Sequence, residues 1–252
     1  MNIYEAFAYF YAQGPYLAFS QRMAELLPAV LERFGAKPRT ILDIACGEGT
    51  FAVAMAQKGL QVTGVDLSPQ MLQLARERAE RENVNAEFLL QDMRSLAFED
   101  KRFDLVTCWF DSLNYLLELE DLQRTFAGVY RALKKTGLFI FDMNTIYGLV
   151  VNWQRYPCYV QQDTSELFEI QRVSYDFAHN LAIMRITGFL KQGDVWTRMD
   201  EVHRERGYTL EEIRQCLKET GFQELACWGS LEEMSEPKPD SGRVWFVTTK
   251  RG

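Results

Sequence analysis

Thr40-Ile41-Leu42-Asp43-Ile44-Ala45-Cys46-Gly47-Glu48-Gly49-Thr50 is a short β-type run that breaks into a glycine turn, and Phe51 to Lys58 behind it has helical composition. A strand that passes through glycines into a helix brings a strand end, free helix N–H groups and the positive end of a helix dipole to one place. Gly47 and Gly49 let the backbone approach a ligand where a Cβ would stand in the way. The same order recurs downstream. Gln61 to Asp66 is a second strand; Ser68 is an N-cap with Pro69 at the first helical position, and that helix runs to about Glu82. Phe88-Leu89-Leu90 and Phe103 to Cys108 are further strands. A helix from about Leu119 to Leu133 carries Phe126, Val129, Tyr130 and Leu133 on one face, and after Gly137 a fifth strand spans Leu138 to Phe141. Strands alternating with helix-length segments predict an α/β fold, a parallel sheet with helices on both faces.

The flanks complete the layout. The stretch up to about Phe34 reads as helical, with Met23, Leu26, Leu27, Val30, Leu31 and Phe34 on one stripe. After Asn144 the rhythm changes. Leu167 to Phe177, Leu181 to Leu190 and Val195 to Arg206 are β-rich runs, separated by Ala178-His179-Asn180 and Lys191-Gln192-Gly193-Asp194 as hairpin turns. Thr209 with Glu212 forms a capping box, Gly221 ends the helix it opens, and Phe222 to Trp228 and Val244 to Thr249 are two closing strands. The division predicted is a core over 1–149, an antiparallel β insertion over 150–206 acting as a substrate lid, and completion of the core over 207–252.

The bulk properties narrow the function. With 252 residues, 47% hydrophobic and 25% charged, the chain is an ordinary globular one. A formal charge of −7, and no long run of Lys or Arg, speak against a nucleic-acid partner. The arginines of the insertion are interleaved with carboxylates. Five cysteines, Cys46, Cys108, Cys158, Cys216 and Cys227, form no close pair, so neither a disulfide framework nor a zinc ribbon is expected, and no metal site. Met1 to Phe10 has no basic n-region, and no apolar run approaches the roughly 18 residues of a membrane helix. A soluble cytoplasmic protein is expected, and a homodimer is compatible with the chain.

In an open parallel sheet, ligands sit outside the carboxyl ends of the strands. Asp66 ends the second strand, where an acid can accept both hydroxyls of a ribose. Asp92 follows the third, where a carboxylate can take a hydrogen bond from an adenine amino group. Leu67, Met71 and Met93 can clamp a flat base, and Cys108-Trp109-Phe110-Asp111 at the fourth strand end supplies aromatic walls. The dinucleotide pattern G-x-G-x-x-G fails because Ala45 stands where its first glycine belongs, and the phosphate loop fails for want of Gly-Lys-Ser/Thr.

Asp43-x-Ala45-Cys46-Gly47-x-Gly49-Thr50, Val65-Asp66-Leu67-Ser68-x-x-Met71-Leu72, Gln91-Asp92-Met93-Arg94, Phe103-Asp104-Leu105-Val106 and Leu133-Lys134-x-x-Gly137, in this order, closely resemble the class I S-adenosylmethionine (SAM)-dependent methyltransferases. The resemblance covers about Thr40 to Asn144 and implies a seven-stranded Rossmann-like sheet. It implies that Asp43 and the Gly47/Gly49 loop hold the methionine moiety of SAM, that Asp66 takes the ribose, and that Asp92 with Met93 takes the adenine. Ala45, Leu67, Met71, Cys108 and Tyr11 join them as cofactor contacts. Asp92-Met93-Arg94 and Phe110 to Leu116 resemble the small-molecule branch, and the amino-sugar N-methyltransferases are the nearest group. Two departures stand out. Glu48 replaces the common Thr or Ser and is expected at the surface, and the usual Tyr-Asp pair of the N-terminal helix is Tyr11-Ala12.

Methyl transfer is an in-line displacement that needs alignment and exclusion of water more than a fixed catalytic triad. Strand alternation puts Glu201, His203 and Glu205 on one face, so His203 is a candidate base, with Asp111 the second catalytic candidate. Trp109, Phe110, Asn114, Tyr115 and Tyr16 are predicted to line the acceptor site, whereas His179 falls in a turn and reads as solvated. The expected acceptor is a small molecule carrying an amine or a hydroxyl. The Asn-Pro-Pro-Tyr signature of exocyclic nucleobase-amine methylation is absent, which demotes RNA. An RNA- or protein-directed enzyme of the same fold and a non-catalytic SAM-binding protein remain the alternatives.

Overall fold

A computed structural model describes residues 4–251 of the chain; residues 1–3 of the aromatic N-terminal stretch, and residue 252, lie outside it. The N-terminal region is two helices, α1 (Phe7–Gln13) and α2 (Leu17–Arg33), because Gly14-Pro15 interrupts the helical stripe. Then follow β1 (Thr40–Ile44), α3 (Thr50–Gln57), β2 (Gln61–Asp66), α4 (Pro69–Arg81), β3 (Ala86–Leu90), β4 (Phe103–Cys108), α5 (Leu119–Ala132) and β5 (Leu133–Asn144). The strands β6 (Cys158–Asp163), β7 (Leu167–Asp176), β8 (Leu181–Gln192) and β9 (Val195–Arg206) come next. The chain closes with α6 (Leu210–Glu219), β10 (Phe222–Trp228) and β11 (Arg243–Lys250).

The local chemistry that starts these helices is visible. Ser68 Oγ accepts from Met71 N at 3.2 Å and Pro69 opens α4. Thr209 and Glu212 form the capping box of α6. The N-cap of α3 is Gly49, which has no side chain to offer, and Glu48 accepts from Thr50 N in its place.

Two sheets result. Seven strands run in the order β10-β11-β5-β4-β1-β2-β3, all in one direction except β11, which is antiparallel to both of its neighbours, β10 and β5. Because β1 lies between β4 and β2, the ends of these strands open one crevice. The four-stranded antiparallel sheet runs β6-β7-β8-β9. Its hairpin turns fall where the polar spacers predicted them, with Asp176 paired to Leu181 and Gln192 to Val195.

Three expectations are corrected here. The sheet does not begin near Val150, since Gly148–Asn152 and Trp153–Arg155 are short helical turns, with Thr145 Oγ1 accepting from Gly148 N at 3.0 Å. The edge strand β6 was not expected, because its half-exposed pattern carries little hydrophobic alternation. And β5 starts directly after α5, with Gly137 inside the irregularity between Leu133 and Leu138 rather than ahead of the strand.

Apolar side chains pack on both faces of the large sheet. Phe126, Phe139, Phe141, Phe222 and Phe246 lie on the α5/α6 side, and Leu27, Val30, Phe51, Met55 and Leu105 on the other. A smaller cluster of Phe7, Phe10, Met71, Leu167, Ile186 and Met199 joins α1 to the four-stranded sheet. Burial of each such side chain contributes about 1.5–3 kcal/mol. Among the described residues no helix is long and apolar enough to cross a membrane.

Gly49 is fully used by this packing. Its φ is +83°, and a Cβ there would lie 2.9 Å from Ala75 Cβ and 3.1 Å from Ala75 Cα on α4. Gly49→Ala is therefore expected to cost about 2–4 kcal/mol in urea denaturation. Gly47→Ala, where φ is +56° and no atom lies within 4 Å, should cost only about 1–2 kcal/mol; equal losses would contradict this. A second prediction concerns Asp43, buried at the end of β1. Burial pushes its carboxyl from 3.8 up to about 8, with Asp66 and Glu48 adding to the rise and the Thr107 hydroxyl opposing it. A folded-state value above the unfolded one means stability present at low pH and lost as pH climbs through that range. Asp43→Asn should flatten the fall in unfolding free energy between about pH 4 and 8, and an unchanged slope would contradict it.

Candidate active site

The ends of β1, β2, β3 and β4 enclose a cavity of about 260 Å³. Asp43, Ala45, Gly47, Asp66, Leu67 and Met71 wall it, with Asp92, Met93, Trp109, Phe110, Tyr115 and Tyr11 closing the remainder. Asp43 is 2% exposed and accepts from Thr107 Oγ1 at 2.8 Å. Ala45 holds a left-handed conformation, φ 54°, that carries the chain sharply out of the strand. Asp66 accepts from Gly47 N at 2.9 Å and Ser68 N at 2.8 Å. Those bonds, and one from Leu67 N–H, oppose the burial that raises its carboxyl above the ordinary range. A carboxylate offers about four lone-pair sites, so Asp66 keeps acceptor capacity toward the cavity.

Glu48 is not at the surface. It is 2% exposed: its carboxylate accepts from Thr50 Oγ1 at 2.9 Å and pairs with Arg78 at 2.5 Å. The reason is the bare N-cap of α3, which leaves helix donors for the neighbouring side chain to take up. Asp92 is engaged by Arg94, whose Nε lies 3.0 and 2.9 Å from the two carboxylate oxygens; this contact holds Asp92 below the usual carboxylate range. Trp109 is 4% exposed, stands edge-on to Phe51, and has an indole N–H without a partner.

A second cavity of about 270 Å³ adjoins the first and shares Tyr4, Tyr11, Phe110 and Tyr115 with it. Tyr16, Asp111 and His203 line this second chamber, as do Tyr159, Gln171, Met184, Ile186 and Glu205 from the four-stranded sheet. Tyr11 stacks on Tyr16 at 4.9 Å. His203, 2% exposed, has Nδ1 2.9 Å from Tyr115 OH, which in turn lies 3.1 Å from Tyr4 OH. Its Nε2 is 3.3 Å from Glu201 Oε2 but makes no hydrogen bond. Glu201 also accepts the N–H groups of Tyr4, Glu5, Ala6 and Phe7 at 2.9 to 3.2 Å. Burial pushes its carboxyl up, and the contact with His203 and the N–H groups of Phe7 and Tyr4 outweigh that and hold it below its ordinary value.

The floor of this chamber is a charge network. Asp142 accepts from Phe110 N at 2.7 Å and Asp111 N at 3.0 Å, fixing both in left-handed backbone conformations. Arg243 pairs with Asp142 and, at 2.9 Å, with Asp111. It also lies over the stacked rings of Phe19 and Phe110. Asn144 donates to Asp111 and, at 2.9 Å, to Glu205. Burial raises Asp142 to about 6 against the pull of Arg243, with Asp111 adding to the rise. Glu205 is pushed well above its ordinary value by burial and then by Asp111.

Three of the predicted residues stand behind the cavity walls. Gly49 packs on α4, Cys108 is core, and Asn114 is a strut whose amide bonds Asn144 N and O and Arg206 O. His179 is exposed and pairs with Asp176 at 2.7 Å. Sequence reasoning missed Tyr4, Arg94, Asp142 and Arg243. Arg94 lay within a quoted motif and could have been found, whereas Arg243 comes from the far end of the chain with no local signal.

A family model described as a methyltransferase domain matches residues 41–137. A protein of Geobacillus sp. (strain WCH70), whose name assigns it to the methyltransferases and states no acceptor, is 35% identical over 258 residues, covering 98% of this chain and 99% of its own. A SAM-dependent methyltransferase from Clostridium acetobutylicum ATCC 824 superposes with a TM-score of 0.84 at 28% identity, covering 100% of both chains. The sugar N-methyltransferase KedS8 from Streptoalloteichus sp. ATCC 53650 shares the fold, with a TM-score of 0.74 at 20% identity over 100% of this chain and 94% of its own. The strand-end series, the sheet order and these relatives agree, and the chain belongs to the class I SAM-dependent methyltransferases.

Proposed function

We propose that the chain transfers a methyl group from SAM, held in the first chamber, to the nitrogen or oxygen of a small molecule held in the second. The observation that carries this reading is the pair of adjoining cavities with four shared wall residues, Tyr4, Tyr11, Phe110 and Tyr115. The residues of the first chamber fit the cofactor. A Cβ at Gly47 would project into open space, so the cradle is there to be filled; Trp109 N–H lacks a partner; and Asp43, Glu48 and Asp66 give the site an acidic lining suited to a cationic ligand. Asp66 would take the ribose hydroxyls, Leu67 and Met93 the adenine faces, and Asp43 with the Gly47 turn the methionine end.

SAM, when bound, supplies a methyl group already activated on a sulfonium. The chain's own residues supply alignment and dryness, effects worth about 7–11 kcal/mol when geometry is good. The acceptor must lose one proton as its new bond to carbon forms. Tyr115 can take that proton while passing its own to His203 Nδ1, and the Glu201 carboxylate beside Nε2 favours the imidazolium that results. The shared tyrosines and Phe110 exclude water from the path. Among the described residues the second chamber is lined largely by aromatic side chains, and its arginine, Arg243, is paired with Asp111 and Asp142, which suits a metabolite better than a polynucleotide track. All five cysteines are free thiols, in keeping with a reducing cytoplasm.

Isothermal calorimetry checks the cofactor chamber. Wild type should bind S-adenosylhomocysteine, Asp66→Ala should weaken that binding about tenfold or more, and Gly47→Val should abolish it while leaving a folded protein. Wild-type binding of NAD in preference to S-adenosylhomocysteine would overturn the reading. His203→Gln should lower turnover about 100-fold with unchanged S-adenosylhomocysteine affinity; full activity in that variant would exclude the relay.

A further inference from the structure

Resting on this reading, we infer that the second chamber takes a cationic amine, with Glu205 and Asp111 as the ligands of its ammonium group. Both carboxylates line the cavity, at 2% and 7% exposure, and Asp142 lies against them fully buried. Among the described residues lining the chamber, the guanidinium is that of Arg243, already shared between Asp111 and Asp142. Among the described residues, Glu205 is hydrogen-bonded to the Asn144 amide, at 2.9 Å. Tyr4, Tyr115 and His203, which also line the chamber, are hydrogen-bonded to one another.

The lining of the chamber points to a ligand of the same kind. His203 is almost wholly buried in its wall, with Nδ1 turned to Tyr115 and Nε2 to Glu201 at 3.3 Å. Much of the remaining wall is aromatic, with Tyr4, Phe7, Tyr16, Phe19, Tyr115 and Tyr159 beside the aliphatic Met184 and Ile186. Aromatic faces attract ammonium groups and continue to do so when methyl groups replace N–H. A chamber of this kind binds the amine before and after reaction. The ammonium gives one proton to the Tyr115–His203 pair and its nitrogen becomes neutral. The nitrogen then forms its bond to the methyl carbon as the carbon–sulfur bond breaks, sulfur keeps that electron pair, and the product nitrogen is again a cation.

The test uses the whole protein saturated with S-adenosylhomocysteine and two probes that differ at one atom, 2-phenylethylammonium and 2-phenylethanol, titrated by calorimetry at neutral pH. The ammonium should bind about tenfold tighter than the alcohol. Glu205→Gln should remove most of that preference while S-adenosylhomocysteine affinity stays unchanged. Should Glu205→Gln fail to fold, Asp111→Asn serves as the second variant, and the wild-type preference is decisive by itself. Equal binding of the two probes, preference for the alcohol, or no binding of the ammonium to protein that does bind S-adenosylhomocysteine overturns the inference and leaves the cofactor reading standing. Failure of wild type to bind S-adenosylhomocysteine overturns the reading beneath it.

Discussion

The Glu201 carboxylate, on a strand of the four-stranded sheet, accepts the backbone N–H groups of Tyr4, Glu5, Ala6 and Phe7 at the start of α1. That helix has only seven residues, with no side-chain N-cap of its own and no acid in its first turn. A helix so short is marginal in water, and its free N–H groups would be costly under a buried sheet. One carboxylate removes that cost and brings a full negative charge to the positive end of the dipole. Everything that encloses the site follows. Tyr4 and Tyr11 reach the boundary of the two chambers because α1 is pinned there, and Phe7 and Phe10 seal it against Leu167, Ile186 and Met199. A further tie runs through buried Glu169, which accepts from Tyr16 and from Gln162, while Gln162 also donates to Phe10 O.

The electrostatics of the two chambers share a feature with that anchor: acids outnumber bases. Asp43, Glu48, Asp66 and Asp92 face one side and Asp111, Asp142 and Glu205 the other, with Arg78, Arg94 and Arg243 paired to them. Buried charges are tolerated only when paired or hydrogen-bonded. Here the excess is borne by backbone N–H groups, amides and raised carboxyl values, an arrangement that a cationic ligand would relieve. The same arithmetic makes the resting site a place of stored instability, since Asp43 and Asp142 are pushed up to about 8 and about 6.

Much of this was legible in the chain. The glycine turn, the acids at strand ends and the Ser68 and Thr209 caps are local signals, and the core sheet followed from them. Alternation along Glu201-Val202-His203-Arg204-Glu205 put three titratable side chains on one face, and that face is buried. What escaped was non-local. The role of Glu48 depends on Arg78 thirty residues away and on the bare N-cap beside it. Arg243, Asp142 and Asn144 meet Asp111 only because β11 pairs with β5. Asn114 looked like a substrate contact from its place after β4, and its amide is spent on backbone groups that only the fold brings near. Edge strand β6 was invisible because an exposed edge carries little hydrophobic periodicity.

The central claim is that a cofactor fills the first chamber beneath an N-terminal segment held by Glu201. Hydrogen–deuterium exchange with and without S-adenosylhomocysteine tests it most directly. The account predicts slowed exchange in residues 4–13, at the Gly47 turn and at the start of α4, with little change in β10 and β11. Protection confined to the outer strands, or exchange in residues 4–13 that is unaltered by a ligand shown to be bound, would contradict it.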